Sequence, residues 1–197
     1  MKKLIVFSIL SIVLMCSGCK TISTSTINVG SEAQPAGIKT LAVMRFDDLA
    51  IQGKQINGVL SKTIINPDAG EIVAEIMTGE LQKWKRYRVL TRPEIRNVFK
   101  KGNVHEAELV NAKDYAAIRK MLQVDMVIVG KISKLEVSDM KIYARGNVSF
   151  IAECIDTKNG KILWSMNIDE SAPYKDEVEL AGKAIKEAIQ QVRLEAE

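Results

Sequence analysis

The run Val124–Ile132, "VDMVIVGKI", constrains this chain more than any other stretch. Its centre is β-branched and apolar without interruption, with no alternation of polar and apolar positions. A strand that meets water on one face alternates. A strand apolar throughout is covered on both faces, the condition of a strand inside an α/β sheet. The chain therefore needs helices to lie on both sides of it.

Candidate helices are present. Ile72, Val73, Ile76, Met77, Leu81 and Trp84 recur at helical spacing, with Asp68 and Glu71 at the N-terminal end. Thr91-Arg92-Pro93-Glu94 joins a capping-box pattern to an early proline and predicts a helix running to about Lys100. Asn111 is predicted to cap a further helix through Tyr115, Ile118, Met121 and Leu122. Glu177–Glu197 reads as a charged amphipathic helix with Val178, Ala181, Ile185, Ile189 and Val192 on one stripe, and its mixed charges fit a solvated face. Further strands are expected at Lys39–Phe46, at Tyr87–Leu90 and on either side of "DTKNGK", where Asn159-Gly160 predicts a two-residue hairpin turn. The resulting order, β-loop-α-β-α-α-β-β-β-α, predicts a single α/β domain over 38–197 with a mixed sheet packed by helices.

The N-terminus reads as an export signal. Lys2 and Lys3 precede an apolar run from Leu4 to Met15, too short to span a bilayer but suited to a signal peptide. Ser17-Gly18-Cys19 follows, and this resembles the lipobox of bacterial lipoproteins, with Cys16 where the pattern prefers an aliphatic residue. The resemblance implies cleavage between Gly18 and Cys19, diacylglycerol on the Cys19 sulfur and an N-acyl chain such as palmitate. With Lys20 rather than aspartate next, it implies outer-membrane sorting in a diderm host, the domain facing the periplasm. An ordinary cleaved signal without lipid is the alternative. Residues 1–18 then form the signal and 19–37 the lipidated cysteine with a flexible tether, because Lys20–Gly37 is rich in Ser, Thr, Gly, Ala and Pro.

Composition narrows the function. The formal charge of +4 falls to +2 once Lys2 and Lys3 leave with the signal (4 − 2), which gives no electrostatic case for nucleic acid. Cys16 and Cys19 lie within the signal, so they are not a redox pair, and the remaining Cys154 reads as core filling. His105 has only Glu106 and Glu108 beside it, short of the convergent ligands a metal needs, so no metal and no cofactor beyond the covalent lipid is expected. No nucleophile elbow, P-loop or dinucleotide fingerprint occurs and no carboxylate pair stands in an acid/base context, so an enzyme is not expected. Asp125 reads as an acceptor for backbone N–H groups and Trp164 as packed on the sheet. Asp47–Asp68 shows no clean period and reads as a long loop, of a kind that is often functional. Within it Ile51, Ile56, Val59, Leu60, Ile64 and Ile65 put apolar surface where no core is evident. They form either a lid on their own domain or an interaction loop for another protein.

Four segments, "TLAVMRF", "YRVLTRPEIRNVFKK", "LQVDMVIVGKISKLE" and "IAECIDTKNGKILWS", resemble the CsgG-type family of outer-membrane lipoproteins. Its relatives include the LpoB-like activators of penicillin-binding proteins and the N-terminal domain of TolB. The resemblance covers roughly Lys39 to Ser171 and implies the CsgG/TolB N-terminal fold, also described as anticodon-binding-domain-like. CsgG secretes curli subunits through an oligomeric pore whose barrel comes from two long inserted hairpins. Here only about ten residues separate Glu136 from Val148, and Ile168 leads almost directly to the last helix. A membrane-crossing hairpin needs about 9–11 residues per strand plus a turn. The loop Asp47–Asp68 also lacks the aromatic residues of the family's pore constriction. The expected function is therefore a lipid-anchored, periplasm-facing protein that acts by protein–protein contact in envelope assembly or secretion. An oligomeric ring or channel accessory, an activator of a peptidoglycan synthase and a small-molecule module stay open as alternatives. The partner is an envelope protein whose identity the sequence does not name, and homo-oligomerisation is open.

Overall fold

The computed structural model describes residues 21–30, 37–52, 61–140 and 143–196. Seven strands are β1 (Ile22–Val29), β2 (Lys39–Val43), β3 (Ser61–Ile65), β4 (Tyr87–Val89), β5 (Met126–Met140), β6 (Tyr143–Asp156) and β7 (Ile162–Pro173). The helices are α1 (Ala69–Trp84), α2 (Arg92–Gly102), α3 (Glu106–Asn111), α4 (Tyr115–Leu122) and α5 (Glu177–Ala196). The sheet runs β1-β7-β6-β5-β2-β4, with β3 beside β5. β2 is parallel to β4 and β5 and the remaining pairs are antiparallel, so the sheet is mixed as expected.

Strand alternation divides the core into two layers. On β2, Leu41 and Val43 join α1 and α5, while Ala42, with Met44 just past the strand, joins α2 and α4 on the other face. On β5, Met126 and Ile128 point to the first layer and Val127 to the second. This is the double coverage that "VDMVIVGKI" demands. Farther along the sheet only α5 covers it. Val148, Phe150, Ala152 and Cys154 of β6 and Met166 and Ile168 of β7 pack in the α5 layer. The alternate positions, among them Asn147, Ser149, Asn167 and Asp169, keep some or most of their surface open to water.

Local chemistry explains the element ends. The Thr91 hydroxyl accepts the Glu94 N–H while Glu94 accepts the Thr91 N–H, completing the capping box at the start of α2. The Thr40 N–H donates to Asp125 Oδ2 at 3.0 Å, so Asp125 ties β2 to the entry of β5. Trp164 is packed and Cys154 fully buried, its thiol pushed up by burial and by the nearby Asp156 charge.

Four expectations need correction. The tether 19–37 is not free throughout, because Ile22–Val29 pairs with β7 over its whole length. Its Ser- and Thr-rich composition is that of an edge strand with one wet face; only Ile27 and Val29 pack on the core. Asp47–Asp68 is not one loop, since Ser61–Ile65 pairs antiparallel with the outer half of β5. Asn111 does not start a helix; it ends α3, and the cap of α4 is Asp114, whose carboxylate accepts the Ala117 N–H at 2.9 Å. In the β6–β7 turn Gly160 takes positive φ (72°) but Asn159 does not, so the turn is not the two-residue form. Instead Asn159 Oδ1 accepts the Lys161 N–H at 2.9 Å.

Candidate functional site

The densest polar arrangement lies where β2 ends and the segment Arg45–Gln52 begins. Arg92, from the first turn of α2, is 2% exposed. Its guanidinium spends all five N–H groups on this junction. Nη1 donates to the Val43 carbonyl at 2.7 Å and to Glu106 Oε1 at 3.0 Å. Nη2 donates to Glu106 Oε2 at 3.0 Å and to Glu71 Oε2 at 2.8 Å, and Nε to Glu71 Oε1 at 3.1 Å. Glu106 also accepts the Arg45 N–H, and Arg96 adds a second cation on Glu71. Burial alone would raise the Glu71 carboxyl; Arg92 and then Arg96 outweigh it and hold Glu71 below the ordinary carboxylate range. For Arg92, burial opposes the charge, and Glu106 and Glu71 more than restore it, so the guanidinium is permanently ionised.

Asp48 forms the second node. It accepts the Gly70 N–H at 2.9 Å and Arg45 Nη2 at 2.8 Å on Oδ2, and Gln52 Nε2 at 2.8 Å on Oδ1. Asp68, the residue preceding α1, makes no side-chain capping bond. Asp48 supplies that bond from a distant segment. Gly70 permits the approach, since a Cβ there would lie 2.2 Å from the Phe46 carbonyl oxygen. The two nodes clamp the ends of β2, α1, α2 and α3 together. Arg92 is fully engaged within the first node, whereas Arg45, Asp48 and Gln52 of the second also line the neighbouring cleft. A cleft of about 170 Å³ between Arg45–Gln52 and α3 is smaller than ligand pockets, which typically run from about 300 Å³. A depression of about 470 Å³ beside Arg119, Lys120, Gln123 and Asp125 lies open to solvent, with Ala116 and Val124 also in its lining.

The sequence-predicted positions fare unequally. Gly18 and Cys19 lie outside the described residues. Of the interaction-loop candidates, Ile56, Val59 and Leu60 also lie outside them. Ile51 is 3% exposed and belongs to the core, so it is a lid on its own domain and presents nothing to a partner. Ile65 is half-buried against that core, whereas Ile64, 52% exposed on β3, does face water. His105 precedes α3 and is exposed; among the described residues no cluster of three potential metal ligands occurs. The Arg92 node has one sequence signal, the motif Arg92-x-x-Ile95. Glu71 and Glu106 stand 21 and 14 residues away, beyond any local pattern.

Comparison with known proteins decides the family. The family model described as "Curli production assembly/transport component CsgG" matches residues 23–169. The chain belongs to the CsgG family. No curated protein matches the chain. Among solved structures it is similar to the PelC dodecamer from Paraburkholderia phytofirmans, with a TM-score of 0.60 at 14% identity, covering 87% of this chain and 97% of that one. It is also similar to lipoprotein GNA1162 from Neisseria meningitidis, with a TM-score of 0.58 at 16% identity, covering 79% and 99%. At such identities the likeness is one of fold. The CsgG match begins at residue 23 and so takes in all of β1 but its first residue. No helix among the described residues is long and apolar enough to cross a membrane.

Proposed function

We propose that this CsgG-family chain is a lipid-anchored, periplasm-facing outer-membrane protein without enzymatic activity, and that it acts by protein contact in envelope assembly or secretion. The carrying observation is the CsgG match over residues 23–169, together with a buried Arg92 whose five N–H groups are spent on structure. Cys19 carries the diacylglycerol and N-acyl chains, and no other cofactor is needed. The domain lacks the membrane-crossing hairpins of CsgG: β5 and β6 are joined by two residues, 141–142, and spend their length in the sheet between β3 and β7. Reach across the cell wall to a peptidoglycan synthase is disfavoured, because β1 begins three residues after Cys19. In-cell crosslinking followed by identification of captured proteins tests this reading. Recovery of a reproducible envelope partner supports it; repeated recovery of none counts against it.

A second reading, a homo-oligomeric ring serving as a secretion accessory, is favoured by the fold likeness to a PelC dodecamer. Native mass measurement of the detergent-extracted protein separates the two. A closed ring supports this reading, and a monomer sinks it.

A further inference from the structure

The register of the sheet brings the first residues of β1 to the same end as the last residues of β7 and the first of β6. Ile22 pairs with Ser171, and Arg145 pairs with Pro173. Ile22, Ser171, Pro173, Arg145 and Tyr143 lie on the sheet face that α5 does not cover, and Tyr174 joins them. Its N–H donates to the Ala144 carbonyl at 2.8 Å, its backbone holds φ at 59°, and its ring sits 5.8 Å from that of Tyr143. Positive φ at a non-glycine residue is costly, and here it turns an aromatic ring outward: Tyr174 is 71% exposed and Ile22 62%. Arg145 lies 5.9 Å over the Tyr143 ring and donates to the Ser171 hydroxyl at 3.0 Å, two neutral partners, and it has no ion pair among the described residues. Of the acids at this end, Asp139 is exposed on β5 opposite Ala144, while Asp176 and Glu179 are held within the domain. Asp176 Oδ1 caps α5 by accepting the Glu179 N–H at 2.6 Å, and Glu179 pairs with Lys175.

Two tyrosines, an exposed isoleucine and an arginine on one rim have the composition of a bilayer interface, where amphipathic rings sit at headgroup level and cations meet phosphates. Chain length decides what covers this rim. Ile22 follows Cys19 by three residues, a span of at most about 11 Å when fully extended. Tyr143, on β6, is two strands from β1, or about 10 Å sideways. An acyl anchor on Cys19 therefore holds this end of the sheet against the lipid. The β6–β7 turn stays roughly 45 Å away along a 14-residue strand.

We infer that the rim Ile22–Arg145–Tyr143–Tyr174 is a membrane-contacting surface that seats the domain upright on the phospholipid interface. The inference rests on the proposed Cys19 anchor. The test uses the full, acylated chain reconstituted into vesicles of phosphatidylethanolamine and phosphatidylglycerol. An environment-sensitive thiol label is attached in Tyr174→Cys and, at the opposite end, in Lys158→Cys; the buried Cys154 does not react. Flotation with the vesicles reports the anchor, and quenching by brominated lipid reports contact. The expected result is flotation of both, quenching at position 174 to about half the intensity, as a group lying 5–10 Å into the interface should show, and none at 158. Flotation without quenching at 174 overturns the rim while leaving the anchor standing. Failure to float sinks both. A label at 174 shielded equally in detergent, without a bilayer, assigns the rim to a neighbouring protein copy and also overturns the inference.

Discussion

Arg92 and Glu106 meet at the end of β2, where each Nη atom reaches a different carboxylate oxygen at 3.0 Å. None of α3's residues is fully buried; Leu109 and Val110 pack partly on the second core layer, and this pair with the Arg45 N–H bond fastens its start. The same guanidinium reaches Glu71 at the other side, so one side chain fastens α1, α2, α3 and β2.

Removing Arg92 is therefore expected to be severe. Arg92→Ala leaves two largely buried carboxylates without their cation, a loss of about 3–5 kcal/mol. In a chain of this size that lowers the melting temperature by about 10 °C. Arg92→Lys keeps the charge but not the five-donor fork, and most of the loss should persist. Thermal and denaturant unfolding of the two variants checks both statements. A loss under about 1 kcal/mol, the range of exposed ion pairs, would show that the node is ornamental.

The pH response follows from the same node. Glu71 is held below its ordinary value of 4.5 in the folded state, so its contribution is fully present above that value and is lost as pH falls through the lower folded one. Stability should drop as the solution is acidified below about pH 4.5, and Glu71→Gln should flatten the drop while lowering stability at pH 7. Denaturation midpoints measured from pH 7 down to pH 3 would reveal it; an unchanged acid slope in Glu71→Gln refutes the assignment.

How far the fold was legible depends on whether its cause is local. The apolar run of β5, the Thr91–Glu94 box and the stripe of α5 are encoded by neighbours in sequence, and they stand where the pattern puts them, except that Val178 at the start of the stripe is exposed. β1 and β3 escaped because their stability comes from strands distant in the chain. Seen alone, "ISTSTINV" has only Ile27 and Val29 to bury on the core and reads as linker. Ile51 stayed open between lid and partner contact for the related reason that its core, around Phe46 and α1, is built from elsewhere. The Arg92 node joins residues 71, 92 and 106 and is visible only in space.

Gly130 gives a sharper test of packing. A Cβ at this position would lie 2.2 Å and 2.4 Å from ring atoms of Phe46 and 2.6 Å from the Ile151 carbonyl oxygen. The Phe46 ring cannot retreat freely, because it meets Phe150 edge-on with centroids 5.8 Å apart. Gly130→Ala should cost about 3 kcal/mol, the upper end of overpacking effects. Urea unfolding reads this directly, and a neutral result would mean that the Phe46 ring is not seated on β5.

Glu170 points the opposite way from Glu71. It is 4% exposed under α5, and only Oε1 has a bond, from the Ser23 hydroxyl at 3.2 Å, while Oε2 has none. Burial and then the Glu187 charge raise its carboxyl, against the Ser23 bond and Lys183. A raised carboxyl disfavours the folded state above its unfolded value and is relieved as pH falls. Glu170→Gln should therefore stabilise the protein at pH 7 by about 1 kcal/mol, with the gain shrinking on mild acidification. A destabilised variant would show that the ionised Glu170 is needed to hold Ser23 and the start of β1.

The anchor itself carries the final prediction. Cys19 stands three residues before the first ladder pair, Ile22 with Ser171, so its chemistry is separable from the sheet. Cys19→Ala should abolish incorporation of labelled palmitate and remove the protein from the outer-membrane fraction. The melting temperature of the domain should stay within about 1 °C, because surface changes away from structural features shift stability by no more than about 0.5 kcal/mol. Metabolic labelling, membrane fractionation and thermal unfolding on the same preparations give all three readouts. If the variant still takes up palmitate, the lipidated residue is elsewhere and the lipobox reading falls. If palmitate is lost but the domain also melts early, the N-terminal chain supports β1 directly, and the separation between address and fold is wrong.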